Sequence, residues 1–374
     1  MGRWLGKRNE EKAQERFILS VDGGGIRGIV PSAVLSFLAE KLKQLGDTRP
    51  LYSHFDLIAG TSTGALLALG LCISDPGIKR DEGEETPVTE RVRTGLFRRT
   101  DRVLGYIQRA GDPGCFTQLY LENAKKIFSQ KGRIFSSLFS EKYDSSSLED
   151  FLLSAFRQAR LEDALVPVMV VCYDSLSGQG IILSSYNEWK EMKACSAARA
   201  SSAAPLYFSP YYTLTPQGRE AALLDGGLIA NDPALLAYAQ ARRLYPDCRC
   251  FHILSLSTAR NVYIFNPKES INGLAGWAEP VMKMYPNAQF SLTDMTLSCL
   301  DDVQLLRIKG QVTKEKIRLD DTRKESLDAL VEGGRTLCGR YDSELSDFAR
   351  QLSLRTDFSH VRLAGEHRLL TQEP

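Results

Sequence analysis

The stretch from Phe55 to Leu69 constrains this chain more than any other. An apolar run (Phe55, Leu57, Ile58) ends at Gly60, a single serine stands two residues on, and an Ala/Leu-rich segment of high helix propensity begins after Gly64. The pattern predicts a strand, a sharp turn and a helix. A turn tight enough to push one hydroxyl out of the backbone leaves little room beside it, which is why small residues are wanted two positions before and after the serine. Gly60, Ser62 and Gly64 therefore form a candidate nucleophile elbow, with Ser62 as the candidate nucleophile.

The chain leads into this stretch in the same manner. Phe17 to Val21 reads as a buried strand, Asp22-Gly23-Gly24-Gly25-Ile26-Arg27-Gly28 as a loop of great backbone freedom, and Pro31 to Leu45 as a helix with Val34, Leu35, Leu38 and Leu42 on one stripe. A βαβα opening of this kind predicts an α/β fold, a mostly parallel sheet covered by helices, with the site built from loops at the C-terminal ends of the strands. Further strands are expected at Val166–Cys172 and Gly180–Ser184, joined by a turn over Asp174–Gly178, and at Ala221–Leu224, Phe251–Leu256 and Val303–Ile308. Helices are expected at Tyr120–Phe128, at Ser146–Gln158 with Ser145 or Ser146 as cap, and after Asn231, where Asp232 caps a helix to Leu244. Three more are expected at Gln289–Leu300, Ser326–Cys338 and Tyr341–Gln351, while the Ala/Ser-rich Lys190 to Ala204 suits a helix that approaches a neighbour closely. We find no internal repeat and no domain boundary. The expected organisation is a polar arm over 1–15 and one α/β domain over 16–374 with a helical C-terminal portion.

Two segments stand apart. Ser74 to Pro87 is dominated by Asp, Glu, Gly, Lys and Pro and reads as an exposed loop. Arg91 to Arg109 interleaves arginines with Leu96, Phe97, Val103, Leu104, Tyr106 and Ile107, which suits contact with anionic lipid headgroups or, alternatively, a solvated helix or loop packed on the body.

Composition narrows the function classes. Net charge is +1, from 47 basic and 46 acidic residues, so no overall field recruits nucleic acid. The eight cysteines show no paired metal-binding spacing and read as reduced thiols in an intracellular protein. The N-terminus lacks a secretory pattern, and no window approaches the ~18 apolar residues of a membrane span. The expectation is a cytoplasmic protein, peripheral where it meets membranes, with no transmembrane segment, no cofactor and no metal.

A serine hydroxyl needs a base within hydrogen-bond reach and donors for the oxyanion that forms. The usual base is histidine, but none of His54, His252, His360 and His367 falls in a glycine-rich loop at a strand end. Asp225 does: it follows an apolar strand and precedes Gly226 and Gly227, although a turn aspartate bonded to its own backbone fits the same pattern. Donors are offered by Gly23, Gly24, Gly25, Arg27 and Gly28, a run able to aim several N–H groups at one point beside a helix start. The run also fits a dinucleotide-binding loop. The acid such a loop requires about 20 residues on would be Asp47, which falls ahead of the second strand rather than at its end.

Taken together, the Asp22–Gly28 loop, the Gly60–Gly64 elbow, the Ser201-Ser-Ala-Ala-Pro-Leu-Tyr-Phe208 stretch and Asp225-Gly-Gly227 resemble, in order and spacing, the patatin-like phospholipases. The resemblance is specific over 17–235 and loose over 251–374. It implies a three-layer patatin-like fold and hydrolysis of acyl esters of phospholipids or galactolipids without a metal. It also implies a Ser62–Asp225 dyad, with the oxyanion held at Gly24 and Gly25 and Arg27 nearby. Acyl transfer through the same acyl-serine, or a non-catalytic storage or effector role on a retained fold, are the alternatives.

Overall fold

The computed structural model describes residues 15–73, 85–93, 99–128, 142–259, 264, 273–311 and 317–363. The polar arm up to residue 14, the loop over 74–84 and His367 lie outside the described residues. In chain order the strands are β1 (Glu15–Val21), β2 (Leu57–Thr61), β3 (Thr86–Arg93), β4 (Arg99–Ile107), β5 (Val168–Asp174), β6 (Gln179–Ser184), β7 (Tyr211–Leu214), β8 (Glu220–Asp225), β9 (Cys250–Leu256) and β10 (Val303–Ile308). The helices are α1 (Ile29–Gln44), α2 (Thr63–Cys72), α3 (Phe116–Ile127), α4 (Ser146–Phe156), α5 (Ala194–Ser201), α6 (Gly227–Ala230), α7 (Ala234–Leu244), α8 (Gly273–Ser298), α9 (Lys324–Arg340) and α10 (Asp342–Ser353).

The main sheet runs β10-β9-β1-β2-β5-β8-β7, with β6 also on β5. The pairs from β10 through β5 are parallel, and those joining β5 to β6, β5 to β8 and β7 to β8 are antiparallel. Alternate side chains of each central strand enter opposite layers, as the two-residue period of a strand requires. Phe17, Leu19 and Val21 of β1 join one apolar cluster with α1–α5, α9 and α10, while Ile18 joins the other, with Ala234, Ala237 and Ala241 of α7 and Leu297 of α8. In β5, Val168, Val170 and Cys172 face the first cluster and Met169 and Val171 the second. The result is the expected three-layer α/β architecture.

The register on β5 positions the site. β6 occupies one edge of β5 from Met169 to Asp174, so β2 and β8 must share the other edge. β2 pairs along it as far as Thr61 opposite Val171, and β8 arrives from the opposite direction with Asp225 opposite Cys172. The two strands thus meet end to end, and the residues that leave them, Ser62 and Asp225, are brought together.

Several elements differ from expectation. Within the Arg91–Arg109 segment, the described residues Arg91–Arg93 and Arg99–Ile107 are neither helix nor loop: β3 and β4 pair as an antiparallel ribbon, broken in register between Val88 and Thr89. α8 starts at Gly273 rather than near residue 289, because the helix runs through Pro280 and Pro286, which interrupt the sequence pattern. Ser145 stands at the N-cap of α4 as expected but makes no side-chain cap bond; the Asp144 carboxylate accepts the Ser146 N–H at 3.1 Å. Asp232 does cap α7, accepting the Ala234 N–H at 3.0 Å.

Candidate active site

Ser62 has φ 54° and ψ −121°, a conformation an L-residue holds only when its surroundings enforce it. Those surroundings are backbone. A Cβ on Gly60 would lie 2.2 Å from the Gly64 carbonyl oxygen, and one on Gly64 would lie 2.1 Å from that of Val21. The flanking glycines therefore let β2, α2 and the end of β1 close on one another with Ser62 at the apex. The Ser62 N–H is held by Ser201 Oγ of α5 at 2.9 Å, and that hydroxyl donates in turn to the Val171 carbonyl at 2.7 Å. Thr61 is anchored as well, its hydroxyl donating to the Ala230 carbonyl at 2.7 Å.

Asp225 ends β8 beside this turn. One carboxylate oxygen accepts the Gly227 N–H at 2.7 Å, and the carboxylate faces the same cavity as Ser62, whose hydroxyl favours its charged form. Burial pushes the carboxyl up to about 6, against the lowering effect of the Gly227 N–H and the Ser62 hydroxyl. The described histidines are elsewhere. His54 and His360 lie before the start of β2, bonded to the Leu352 and Ser53 carbonyls at 3.3 and 3.0 Å, and His252 in β9 stacks on Phe17.

The glycine loop divides its tasks. Gly23 donates its N–H to the Asn231 carbonyl at 2.9 Å and accepts from Asn231 Nδ2 and Thr258 Oγ1, which ties the loop to the turn after Asp225. The Ile26 N–H is taken by the Leu319 carbonyl at 2.9 Å. Between them the N–H groups of Gly24 and Gly25 have no protein acceptor among the described residues. Gly25 needs its glycine, having φ 55° and the Leu319 carbonyl where a Cβ would go. Gly28 lies beneath Tyr120, whose hydroxyl bonds the Thr63 side chain. Arg27 sends Nε to the Gly24 carbonyl at 3.4 Å, and burial draws its guanidinium down to about 10.

Three contributors were given no individual role from sequence. Ser201 and Tyr120 are ordinary residues on amphipathic helices until the fold sets them against the elbow. Arg307 of β10 grips Asp22 through both guanidinium nitrogens at 2.8 and 2.6 Å and reaches Asp232 at 3.3 Å, so the carboxylate heading the glycine loop is neutralised from the far end of the chain.

Ser62, Asp225, Gly24 and Gly25 open on one cavity of about 250 Å³. Its walls are apolar, with Leu66, Leu119, Phe128, Leu148, Phe151 and Phe208 among them. A hydroxyl beside a carboxylate of raised basicity, with free backbone donors at one side and a hydrocarbon-lined chamber at the other, has the parts for acyl transfer from an ester with a long apolar acyl group.

The chain also matches known proteins in sequence. Residues 19–238 match the model of the patatin-like phospholipase family. Patatin-like protein 2 of Oryza sativa subsp. indica is 29% identical over 371 residues, covering 87% of this chain and 84% of that protein. Patatin group M-3 of Solanum tuberosum is 27% identical over 377 residues, covering 90% and 89%. Among solved structures, VipD from Legionella pneumophila covers 91% of this chain and 67% of its own at 13% identity and a TM-score of 0.36.

Proposed function

The chain belongs to the patatin-like phospholipase family, and on that premise we propose that it is a lipid acyl hydrolase working through a Ser62–Asp225 dyad. The observation that carries the reading is the strained Ser62 set beside the buried Asp225 at the head of one apolar cavity that both residues line. In the proposed reaction Asp225 takes the Ser62 proton as Oγ attacks the ester carbonyl, and the N–H groups of Gly24 and Gly25 receive the oxyanion, with Arg27 beside them. Collapse of the tetrahedral species expels the alcohol, which leaves with the proton held by Asp225, and the acyl group stays on Ser62 in the apolar chamber. Asp225 then deprotonates a water that releases the fatty acid. No step calls for a metal. The substrate is met at a lipid surface, and no described helix is long and apolar enough to cross a membrane.

The test is fatty-acid release from phospholipid and galactolipid by the purified chain, with and without a chelator, beside Ser62→Ala. Ser62→Ala should lower turnover by about 10³-fold or more while the melting temperature holds, because the removed hydroxyl is not packed in the core. Near-normal turnover by that variant would remove Ser62 from the mechanism, and loss of activity to the chelator with return on added calcium would point to another one.

A further inference from the structure

Beside residues that line the cavity stand Lys142, Arg318 and Asp320, charged side chains that the acyl-transfer chemistry does not use. The turn that holds Leu319 lies on the glycine loop, tied to it by the Ile26 N–H, and both Leu319 and Tyr207 line the cavity with Ser62. Beside Leu319, the Asp320 side chain is 4% exposed; it accepts from the Lys142 ammonium, from the Tyr143 hydroxyl at 2.7 Å, and pairs with Arg318 Nε at 3.3 Å. Tyr207 feels the charges of Asp320, Arg318 and Arg27. Lys142 and Tyr143 are fixed against this rim by backbone bonds to the carbonyls of Leu206 and Tyr207 at 3.1 and 3.0 Å.

Among the described residues the rim therefore holds three cations, Lys142, Arg318 and Arg27, against the one carboxylate of Asp320. The neighbouring acids are committed: Asp321 to Arg323 and Ser326, and Asp22, which faces Arg27, to Arg307. Burial opposes ionisation of Asp320, but its bonds to Lys142 and Tyr143 hold its carboxyl below the ordinary range, so it stays charged and cancels a single cation. An ion pair made for stability alone needs one cation. Here Arg318 is 68% exposed and keeps guanidinium donors directed at solvent, next to two tyrosine hydroxyls.

We propose that this rim is a phosphate site for the headgroup of the lipid whose acyl chain fills the cavity, an inference that rests on the hydrolase reading and adds a preference for phosphate-bearing glycerolipids over glycosylated ones. A phosphodiester is an anion with two free oxygens suited to a guanidinium fork, and the glycerol unit keeps it within a few bonds of the scissile ester. A galactosyl headgroup offers only neutral hydroxyls, which do not repay the desolvation of the cations.

The experiment compares kcat/KM for phosphatidylcholine and for digalactosyl diacylglycerol with the same two acyl chains, in the same neutral-detergent micelles. Both lipids have no net charge, so general attraction to a charged surface drops out, and a ratio taken on one preparation does not depend on its folded fraction. The wild type should favour phosphatidylcholine. Arg318→Ala should lower the ratio by about tenfold, Arg318→Glu further, and Arg318→Lys should recover most of it, the size expected for hydrogen bonds to a charged group. A wild type that cleaves both lipids equally, or a ratio unmoved in Arg318→Ala and Arg318→Glu, overturns the headgroup site. Inorganic phosphate that inhibits cleavage of a short neutral ester through Arg318, with the lipid ratio unmoved, also overturns it in favour of a free-ion site. Failure of the wild type on the short ester as well as on both lipids would instead overturn the hydrolase reading, and this one with it.

Discussion

Asp225 carries two demands that conflict. As a base it must be ionised at neutral pH, yet its surroundings favour the neutral form and lift its carboxyl from 3.8 to about 6. Between those values the folded state binds a proton that the unfolded state has released. Ionised Asp225 therefore costs nothing below pH ~3.8, costs increasingly up to about 6, and above that costs about 3 kcal/mol. Asp225→Asn keeps the acceptor for the Gly227 N–H and removes the charge. We expect its turnover to fall by about 10²–10⁴-fold while its stability at about pH 8 rises by as much as about 3 kcal/mol, the gain vanishing near pH 3.5. Urea titrations at the two pH values check the second half, and a wild-type kcat/KM whose acidic limb lies near 6 checks the assignment of the base. A folded, active Asp225→Asn beside a folded, inactive His54→Ala would replace the dyad with a histidine mechanism.

At the scale of elements, the site depends on how closely α2 approaches the ends of β1 and β2. Gly64 is the contact point: an added Cβ would meet the Val21 carbonyl at 2.1 Å, and backbone cannot swing aside as a side chain can. Gly64→Ala should cost about 1–3 kcal/mol of stability and should cost activity out of proportion to the folded fraction, because any relief tilts α2 and displaces Ser62. Thermal melts paired with initial rates test this, and a variant as stable and active as the wild type would show the approach to be looser than described. This turn was legible in the sequence because its glycine spacing expresses a local demand of the backbone. The buried strands were legible for the same kind of reason: β1, β5 and β9 each carry a dense set of apolar residues, and β10 coincides with its predicted span. What a segment pairs with is a tertiary matter. Nothing in Glu220–Asp225 says that β8 runs antiparallel to β5, nothing in the arginine-rich 91–109 announces a ribbon, and Arg307 stands 285 residues from the Asp22 it neutralises.

For the whole molecule we propose one cooperative domain that includes the loosely matched C-terminal portion. β9 and β10 extend the sheet beyond β1, α9 and α10 complete the apolar layer over α1, and Arg355 and His360 close around Asp56 at the start of β2. Burial alone would raise the Asp56 carboxyl, but His360, Arg355 and Arg16 hold it below the ordinary range. That end of the sheet, opposite Ser62, also buries two histidines. Burial lowers His54 to about 3, outweighing Asp47 nearby and reinforced by Arg49 and Arg355, and it lowers His360 as well. For a base whose folded value lies below its unfolded 6.5, stability is complete above 6.5 and drains as pH falls, since only the unfolded chain accepts the proton. His54 alone should remove about 1.4 kcal/mol per pH unit, or about 2 kcal/mol between pH 6.5 and 5. Asp225 works in the opposite sense below pH 6 but offsets only one of the two histidines. The urea midpoint of the wild type should therefore fall on acidification below 6.5, with all regions unfolding in one transition. His54→Asn, which keeps a donor for the Leu352 carbonyl and cannot titrate, should start less stable yet lose stability less steeply, by about one proton's worth of slope. Two separate transitions would break the single-domain proposal, and an unchanged slope in His54→Asn would mean that the acid sensitivity resides in other groups.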